Sequence, residues 1–235
     1  MSLLLQVDTL SQATTQIAEN VNAKADVPLI SIIFSGGPVG IVIMSSIFIM
    51  LFFALYLYFE RLWAIKAASK VDQNFMTQIK MYLQQGKLDN AKMLCASTQS
   101  PVARLIEKGI SRVGKPLEDI NTAIENAGKL EVYKLEKNVN LLATISGAGP
   151  MTGFLGTVVG MVMAFHEMAS SASNKIEMSV LAEGIYTAMM TTVVGLIVGI
   201  IAYVGYNHLV SLTDKVVNMM EVNVVDFLDL LNDTA

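Results

Sequence analysis

Three long runs of apolar residues divide the chain, and polar residues are concentrated between and after them. Residues 38–59, 141–165 and 185–210 contain no Asp, Glu, Lys or Arg. Each run is long enough to cross a bilayer core of about 30 Å, which takes roughly 20 helical residues. The sequence between the first two runs repeats apolar positions with helical spacing. We therefore predict an all-α membrane protein with three spanning helices and long cytoplasmic helical extensions.

The apolar runs divide the chain into seven predicted segments. These are an external N-terminal segment (1–35), the first transmembrane helix (36–60), a cytoplasmic helical loop (61–138), the second transmembrane helix (139–166), an external hairpin (167–183), the third transmembrane helix (184–210) and a cytoplasmic C-terminal helix (211–235). Within the loop, helices are expected over Leu62–Gln85, Asp89–Cys95 and Val102–Arg112, with another starting at Lys115 and running into the second span. No proline follows Pro150, so the third helix is expected to continue to about Leu231.

The positive charges predict the orientation in the membrane. Of the 16 Lys and Arg residues, 13 lie between Arg61 and Lys137. By the positive-inside rule this loop is cytoplasmic, which places the N-terminus outside and the C-terminus inside. Glu60 and Arg61 mark the cytoplasmic membrane boundary of the first span.

Composition and motifs argue against an enzyme. Apolar residues make up 53% of the chain and charged residues 15%, as is typical of a membrane protein with a modest soluble part. The sequence has no nucleophile elbow, phosphate loop or metal-spaced Cys/His cluster. We therefore assign no catalytic residue, metal ligand, cofactor or nucleic-acid partner. The single Cys95 is interpreted as a small packing residue.

The second and third spans differ from the first in the size of their side chains. They are rich in small residues, which let helix backbones approach closely in a membrane. The first span ends in bulky and aromatic residues, so we expect it, including Leu55, to face lipid while the other two lie inside an assembly. The predicted helix-packing residues are Gly149, Pro150, Gly153, Gly156, Gly160, Gly195 and Gly199.

Hydroxyl groups are the candidate chemistry of these spans. Thr157 lies about ten residues from the cytoplasmic start of its span and Thr192 seven from the outer start of its own, so both fall near mid-bilayer. A proton relay generally needs a titratable group within the membrane, and the spans supply none. Either the protein conducts nothing, or a partner helix brings a carboxylate to these hydroxyls.

Four signatures resemble a known family. They are Gly36-Gly37-Pro38-Val39 with Glu60-Arg61-Leu62-Trp63, then Gly86-Lys87-Leu88-Asp89 with Ser100-Pro101, then Pro150-x-x-Gly153-Phe154-Leu155-Gly156-Thr157-Val158-x-Gly160, and Gly184-Ile185 with Ala188 through Gly195. The chain resembles the MotA/TolQ/ExbB proton-channel family, and within it the three-span ExbB/TolQ branch.

This resemblance implies a homopentamer in the bacterial inner membrane, in contact with lipid. Its second and third spans would surround two copies of a single-span ExbD- or TolR-like partner, whose aspartate carries the ion. Ion flow would be relayed to a TonB- or TolA-like protein to energise outer-membrane transport. The ion pathway would include Thr157, Thr187, Thr191 and Thr192.

Two departures from the family pattern bear on the ion. Thr187 stands where ExbB and TolQ typically carry a glutamate. The pair Thr191-Thr192 resembles the sequence that sodium-driven flagellar stators carry at this position. Protons are the expected ion, with sodium as the alternative, because a hard cation prefers oxygen ligands. Two other functions stay open: a TolQ-like subunit for envelope maintenance, and a passive membrane scaffold without an ion path.

Overall fold

The described part of the chain is all-helical. The computed structural model describes residues 37–69, 74–170 and 178–234. They form seven helices: α1 (Gly37–Ala68), α2 (Phe75–Gln84), α3 (Leu88–Ser97), α4 (Pro101–Ile110), α5 (Leu117–Glu136), α6 (Val139–Ser170) and α7 (Met178–Thr234). The predicted external segment 1–35 lies outside the described residues. Of the predicted hairpin 167–183, only the two helical ends lie within them.

Three of these helices carry stretches long and apolar enough to cross a membrane: α1, α6 and α7. This confirms the prediction of an all-helical protein with three long apolar helices. α7 runs without interruption for 57 residues, so the expected continuation of the third helix to about Leu231 is also confirmed.

The helical structure is interrupted at two places where a continuous helix was predicted. α1 ends at Ala68 and α2 begins at Phe75, so the single helix predicted over Leu62–Gln85 is wrong. Apolar residues occur with helical spacing on both sides of the break, and a periodic pattern does not reveal a short interruption. The helix expected to run from Lys115 into the second span is also interrupted, because α5 ends at Glu136.

Asn138 explains the second break. It lies between α5 and α6 with a φ of 64°, in the left-handed region that Asn adopts more readily than most residues with a side chain. An α-helix cannot continue through this conformation, so α6 begins afresh at Val139.

The described residues belong to two compact units. The first unit holds the described residues of Met1–Phe48 and Met151–Leu196, and the second holds those of Ile49–Pro150 and Ile197–Ala235. In the second unit, α2 to α5 each pack on the next helix. Ser100 caps α4 by accepting a hydrogen bond from the Ala103 amide at 3.1 Å, with Pro101 at the first helical position.

A close-packed core lies within the second unit. Five residues of α4 are among its buried members: Val102, Ala103, Leu105, Ile106 and Ile110. Phe227 of α7 is fully buried, and a Cβ at Gly109 would lie 2.5 Å from its ring. Cys95 is buried as well, in agreement with its interpretation as a packing residue.

The outer face of α1 is apolar and aromatic. Ile49, Phe52, Tyr56 and Trp63 are exposed, as a lipid-facing helix requires. Leu55 was expected on this face, but it is half-buried and lines a crevice with residues of α6 and α7. The crevice opens at the surface of the subunit, so the lipid-facing assignment of Leu55 stays a prediction.

Candidate functional site

The candidate site lies in the first unit, where α6 and α7 are in backbone contact. A Cβ at Gly153 would lie 2.8 Å from the carbonyl oxygen of Thr191 and 3.2 Å from Cα of Gly195. A Cβ at Gly160 would lie 2.7 Å from that of Ala188. Real Cβ atoms do not approach this closely, so the glycines are what allow the two backbones to meet.

Gly156 makes room for a threonine rather than for a backbone. A Cβ at Gly156 would collide with the Thr191 hydroxyl and lie 2.9 Å from Thr191 Cβ. It would also lie 3.2 Å from a methyl carbon of Ile43 on α1. The Thr191 side chain therefore occupies the space that a side chain at Gly156 would fill.

The remaining predicted packing residues lie in the second unit. A Cβ at Gly199 would lie 2.7 Å from the ring of Pro150 and 2.9 Å from the carbonyl oxygen of Ser146. That carbonyl is the one deprived of its helical donor by Pro150. Gly149 is buried on the same helix.

Three threonine hydroxyls meet at the α6–α7 contact. Thr157 and Thr192 are hydrogen-bonded to each other. Thr192 also donates to the Gly153 carbonyl at 3.0 Å. Thr157 lies 3.1 Å from the Ala188 carbonyl oxygen. This agrees with the equal depth expected for Thr157 and Thr192, while their role in conduction stays a prediction.

Thr191 has a different environment from its neighbour. It is buried, and its hydroxyl lies 2.7 Å from the Ala188 carbonyl and 3.1 Å from that of Gly153. Thr157 and Thr192 are only half-buried. Thr187 is buried one turn before Thr191 on α7. Thr157 and Thr192 thus keep part of their residue surface exposed, whereas Thr191 is buried in the helix contact.

The hydrogens of these hydroxyls can all be placed within the cluster. Each hydroxyl has one hydrogen to donate and two lone pairs to accept with. Thr191 can donate to Ala188 and Thr192 to Gly153, while Thr157 donates to Thr192 or to Ala188. Lone pairs on Thr157 and Thr192 remain able to accept, so this pair can receive a hydrogen bond from a third group.

The predicted boundary residues lie in the second unit. Arg61 is buried and donates to the Glu60 carboxylate at 2.7 Å and to the Lys134 carbonyl at 3.4 Å. Its Nε has no hydrogen-bond partner among the described residues. Arg61 therefore connects the end of α1 to α5 rather than facing solvent.

A buried carboxylate next to this connection was missed by the sequence analysis. Glu131 is 5% exposed and accepts from Arg104 at 2.5 Å and from Lys134 at 2.7 Å. Burial alone would raise the pKa of Glu131, but the two hydrogen-bonded cations outweigh it and hold the pKa below its usual value. The spacing of Glu131 and Lys134 suggests an ordinary helix-surface pair, and no local signal points to Arg104.

Comparisons with known proteins show which family the chain matches. Residues 97–222, more than half of the chain, match the MotA/TolQ/ExbB proton channel family. The chain is 36% identical over 107 residues to the Tol-Pal system protein TolQ of Haemophilus influenzae, covering 46% of this chain and 44% of that one.

Two further relatives carry the ExbB name. An ExbB homolog of Methanothermobacter thermautotrophicus is 28% identical over 123 residues, or 52% of this chain and 43% of the relative. The biopolymer transport protein exbB1 of Vibrio cholerae is 32% identical over 89 residues, or 38% of this chain and 39% of the relative. The matched region spans less than half the length of each of these three relatives.

Proposed function

We propose, from the premise that this chain belongs to the MotA/TolQ/ExbB proton channel family, that it is an ion-conducting membrane subunit of the ExbB kind. It would couple the ion-motive force to energised outer-membrane transport through a TonB-like protein. The observation that carries the proposal is the contact between Thr157 and Thr192 at the junction of α6 and α7. Polar groups inside a membrane protein are costly and are commonly functional.

The proposed assembly supplies the group that the spans lack. The protein would form a homopentamer in the bacterial inner membrane, with α6 and α7 of each copy around a central pore. Two copies of an ExbD- or TolR-like single-span protein would occupy the pore and bring an aspartate to the hydroxyls. The N-terminus would be periplasmic and the C-terminus cytoplasmic, as the charge distribution favours.

The hydroxyl pair suits a carboxyl group that gains and loses a proton. A protonated carboxyl can donate to a lone pair of Thr157 or Thr192, and an ionised carboxylate can accept from a hydroxyl that rotates. Since such rotation needs no backbone movement, the site can solvate both states of a partner aspartate. Ionisation at mid-membrane depth is expensive without such solvation.

The positions of the threonines favour protons over sodium. A stripped cation would use several oxygen ligands at once, and the half-buried Thr157 and Thr192 are available to it from the surface of the subunit. Thr191 is engaged with the carbonyls of the α6–α7 contact. We therefore assign Thr191, and the buried Thr187 beside it, to the support of the wall rather than to ion coordination.

Proton flux into vesicles tests the pore assignment. The protein and its single-span partner are reconstituted into liposomes, and uptake of protons is followed with a pH-sensitive dye. Thr157→Val and Thr192→Val keep the side-chain shape and remove the hydroxyl, so we expect flux to fall to background. Flux that continues unchanged in the variant carrying both substitutions would exclude the pore assignment and leave the passive scaffold.

A matched control comes from the same helix. Thr144 of α6 is exposed, and its hydroxyl donates at 3.1 Å to the Asn140 carbonyl of its own helix. We expect Thr144→Val to conduct like the unmodified protein. Native mass spectrometry of all variants separates lost conduction from lost assembly. Replacing external sodium with choline tests the ion, and flux that stops without sodium would contradict the proton assignment.

A TolQ-like role in envelope maintenance is the second candidate, because TolQ proteins are among the relatives. Deletion of the gene separates the two. Loss of energised outer-membrane uptake with normal resistance to detergent supports the ExbB-like role. The reverse result supports the TolQ-like role.

A further inference from the structure

A crevice lies between α1, α6 and α7 within the second unit. Its volume is about 390 Å³, and its lining is mostly apolar. The lining includes Leu55 of α1, Leu142 of α6, and Ile200, Ile201 and Val204 of α7. The three α7 residues are exposed, so the crevice opens at the surface of the subunit.

One end of the crevice is polar. Tyr58 and His208 line it, and the tyrosine hydroxyl lies 2.8 Å from Nδ1 of the histidine. When Tyr58 donates to Nδ1, the other ring nitrogen, Nε2, carries the remaining hydrogen and can donate to a further acceptor. Gly205 lets the tyrosine ring lie close to α7, since a Cβ there would lie 3.2 Å from the ring.

The position of the polar end relative to the spans indicates its environment. Tyr58 and His208 each lie two residues before the cytoplasmic end of a predicted span, 36–60 and 184–210. This is the headgroup level, where tyrosine is enriched. The apolar lining of α7, from Ile200 to Val204, lies one to two turns deeper, at the level of the acyl chains.

An apolar crevice at this depth is surrounded by lipid rather than water. Its lining gains dispersion contacts only when hydrocarbon enters it, and acyl chains are the hydrocarbon that the bilayer provides. A lipid whose chain lies along the apolar lining has its headgroup at the polar end. The phosphate of a glycerophospholipid can then accept a hydrogen bond from His208. A hydrocarbon chain without a headgroup has no such acceptor.

We propose that this crevice binds a glycerophospholipid of the cytoplasmic leaflet, with one acyl chain between Leu55 and Val204 and the phosphate at the Tyr58–His208 pair. The site is separate from the threonine cluster and goes beyond the proposed ion conduction. A lipid bound there would fill the surface crevice between α1, α6 and α7.

Photo-crosslinking of the full-length protein in liposomes tests the proposal. The probe is phosphatidylglycerol with a diazirine in the middle of one acyl chain, and labelled peptides are identified by mass spectrometry. We expect labelling concentrated in residues 54–59 and 200–205. Labelling spread evenly over the exposed faces of α1 and α7 would overturn the proposal, because it would show only bulk lipid.

Matched substitutions test the apolar part of the site. Val204→Phe fills the crevice, whereas Val42→Phe adds the same group to α1 away from the crevice lining. The two valines are similarly exposed, at 62% for Val204 and 68% for Val42. We expect Val204→Phe to reduce crevice labelling severalfold and Val42→Phe to leave it unchanged. Equal labelling of the two variants contradicts a defined site.

The polar part is tested by changing the headgroup. Tyr58→Phe and His208→Ala should reduce labelling by phosphatidylglycerol and phosphatidylethanolamine probes roughly tenfold, the loss expected for a hydrogen bond to a charged group. Labelling by a diacylglycerol probe should be weak and unaffected by either substitution. Equal labelling by all three probes would exclude the phosphate contact.

A second copy of this chain is the competing occupant. Cysteines introduced as Leu55→Cys and Val204→Cys on separate copies would then form an intermolecular crosslink. Efficient crosslinking, together with no lipid label in residues 200–205, would assign the crevice to a subunit interface and overturn the proposal.

Discussion

Two helix contacts in this protein are built around glycine, and they use it in opposite ways. In the first unit, Gly153 and Gly160 let the backbones of α6 and α7 meet. In the second unit, Gly109 of α4 makes room for the ring of Phe227, which is fully buried beside Ile124. One glycine contact brings polar backbone and hydroxyl groups together, while the other accommodates a large apolar side chain.

The difference follows from the solvent that each segment faces. In water, burial of an aromatic ring stabilises the fold because apolar surface is removed from the solvent. In a bilayer that advantage is absent, and helices associate through close packing and hydrogen bonds. The contact of Thr157 and Thr192 therefore follows from close packing of small residues in the membrane. The contact of Phe227 follows from burial of its ring away from the water outside the membrane.

The largest effect is expected where a glycine contacts both threonine and α1. Gly156→Leu places a branched side chain where Thr191 lies, so we expect loss of the α6–α7 contact and of the proposed homopentamer. Size-exclusion chromatography and thermal unfolding in mild detergent measure this. Gly147→Leu is the control, because a Cβ at Gly147 has no neighbour within 4 Å. Equal loss in both variants would show that any bulky group on α6 is harmful.

The corresponding change in the second unit removes the Phe227 ring and leaves the space beside Gly109 empty. Phe227→Ala leaves a cavity beside Gly109 and should lower the free energy of unfolding by about 3–5 kcal/mol. Denaturant unfolding of the full protein in detergent gives this value. Phe59→Ala, at a position that is 53% exposed, should have little effect. A small loss in Phe227→Ala would mean that the tail of α7 is held by other contacts.

A smaller, pH-dependent effect is expected at Glu131. Folding lowers its pKa, so its contribution to stability is present above the unfolded pKa of about 4.3 and is lost as the pH falls through the lower folded value. Glu131→Gln should cost about 1–3 kcal/mol at neutral pH and should reduce the loss of stability on acidification.

The control for Glu131 is an exposed carboxylate on the same helix. Glu125 lies 2.9 Å from Lys129, and both side chains are exposed. Glu125→Gln should change stability by less than about 0.5 kcal/mol at neutral pH. Urea unfolding at a series of pH values distinguishes the two. The same pH profile in Glu131→Gln and in the unmodified protein would contradict the role of this buried carboxylate.

The smallest effect concerns the thiol of Cys95, whose chemistry reports on the packing of the second unit. Burial, with a smaller contribution from the charge of Glu107, raises the pKa of Cys95 to about 12. The reactive thiolate is therefore scarce at pH 8, and we expect slow maleimide labelling that accelerates on unfolding. Ser97→Cys, in a Cys95→Ala background, supplies an exposed control that should react at once. Rapid labelling of folded Cys95 would show that this core opens readily.

The membrane contact was largely predictable and the soluble core was not. Counting residues from the span ends was enough to place Thr157 and Thr192 at one depth, because a spanning helix is held between two interfaces. No such reference exists for α4, so the meeting of Gly109 with Phe227 depends on contacts distant in the sequence. The burial of Glu131 is equally non-local, since it requires Arg104 from another helix.

A local signal accounts for the break before α6, whereas none was available for the rotation of α1. Asn at position 138 is a residue type that favours a left-handed conformation, and this signal was present but outweighed by the apolar periodicity around it. The rotation of α1, which sets the environment of Leu55, could not be inferred because both faces of that span are apolar. A helix turns about 100° per residue, so a shift of one position changes which side chains are buried.

The contact of Pro150 with Gly199 has a consequence for how this protein can change over evolutionary time. Any side chain at Gly199 would strike either the proline ring or the Ser146 carbonyl. A side chain at 199 is therefore harmful while the ring at 150 is present, whereas loss of the ring creates no clash with Gly199. Among relatives that share this contact, a larger residue at 199 should occur only where the ring at 150 is gone. The two sites would thus change in a fixed order, with loss of the ring at 150 preceding a larger residue at 199.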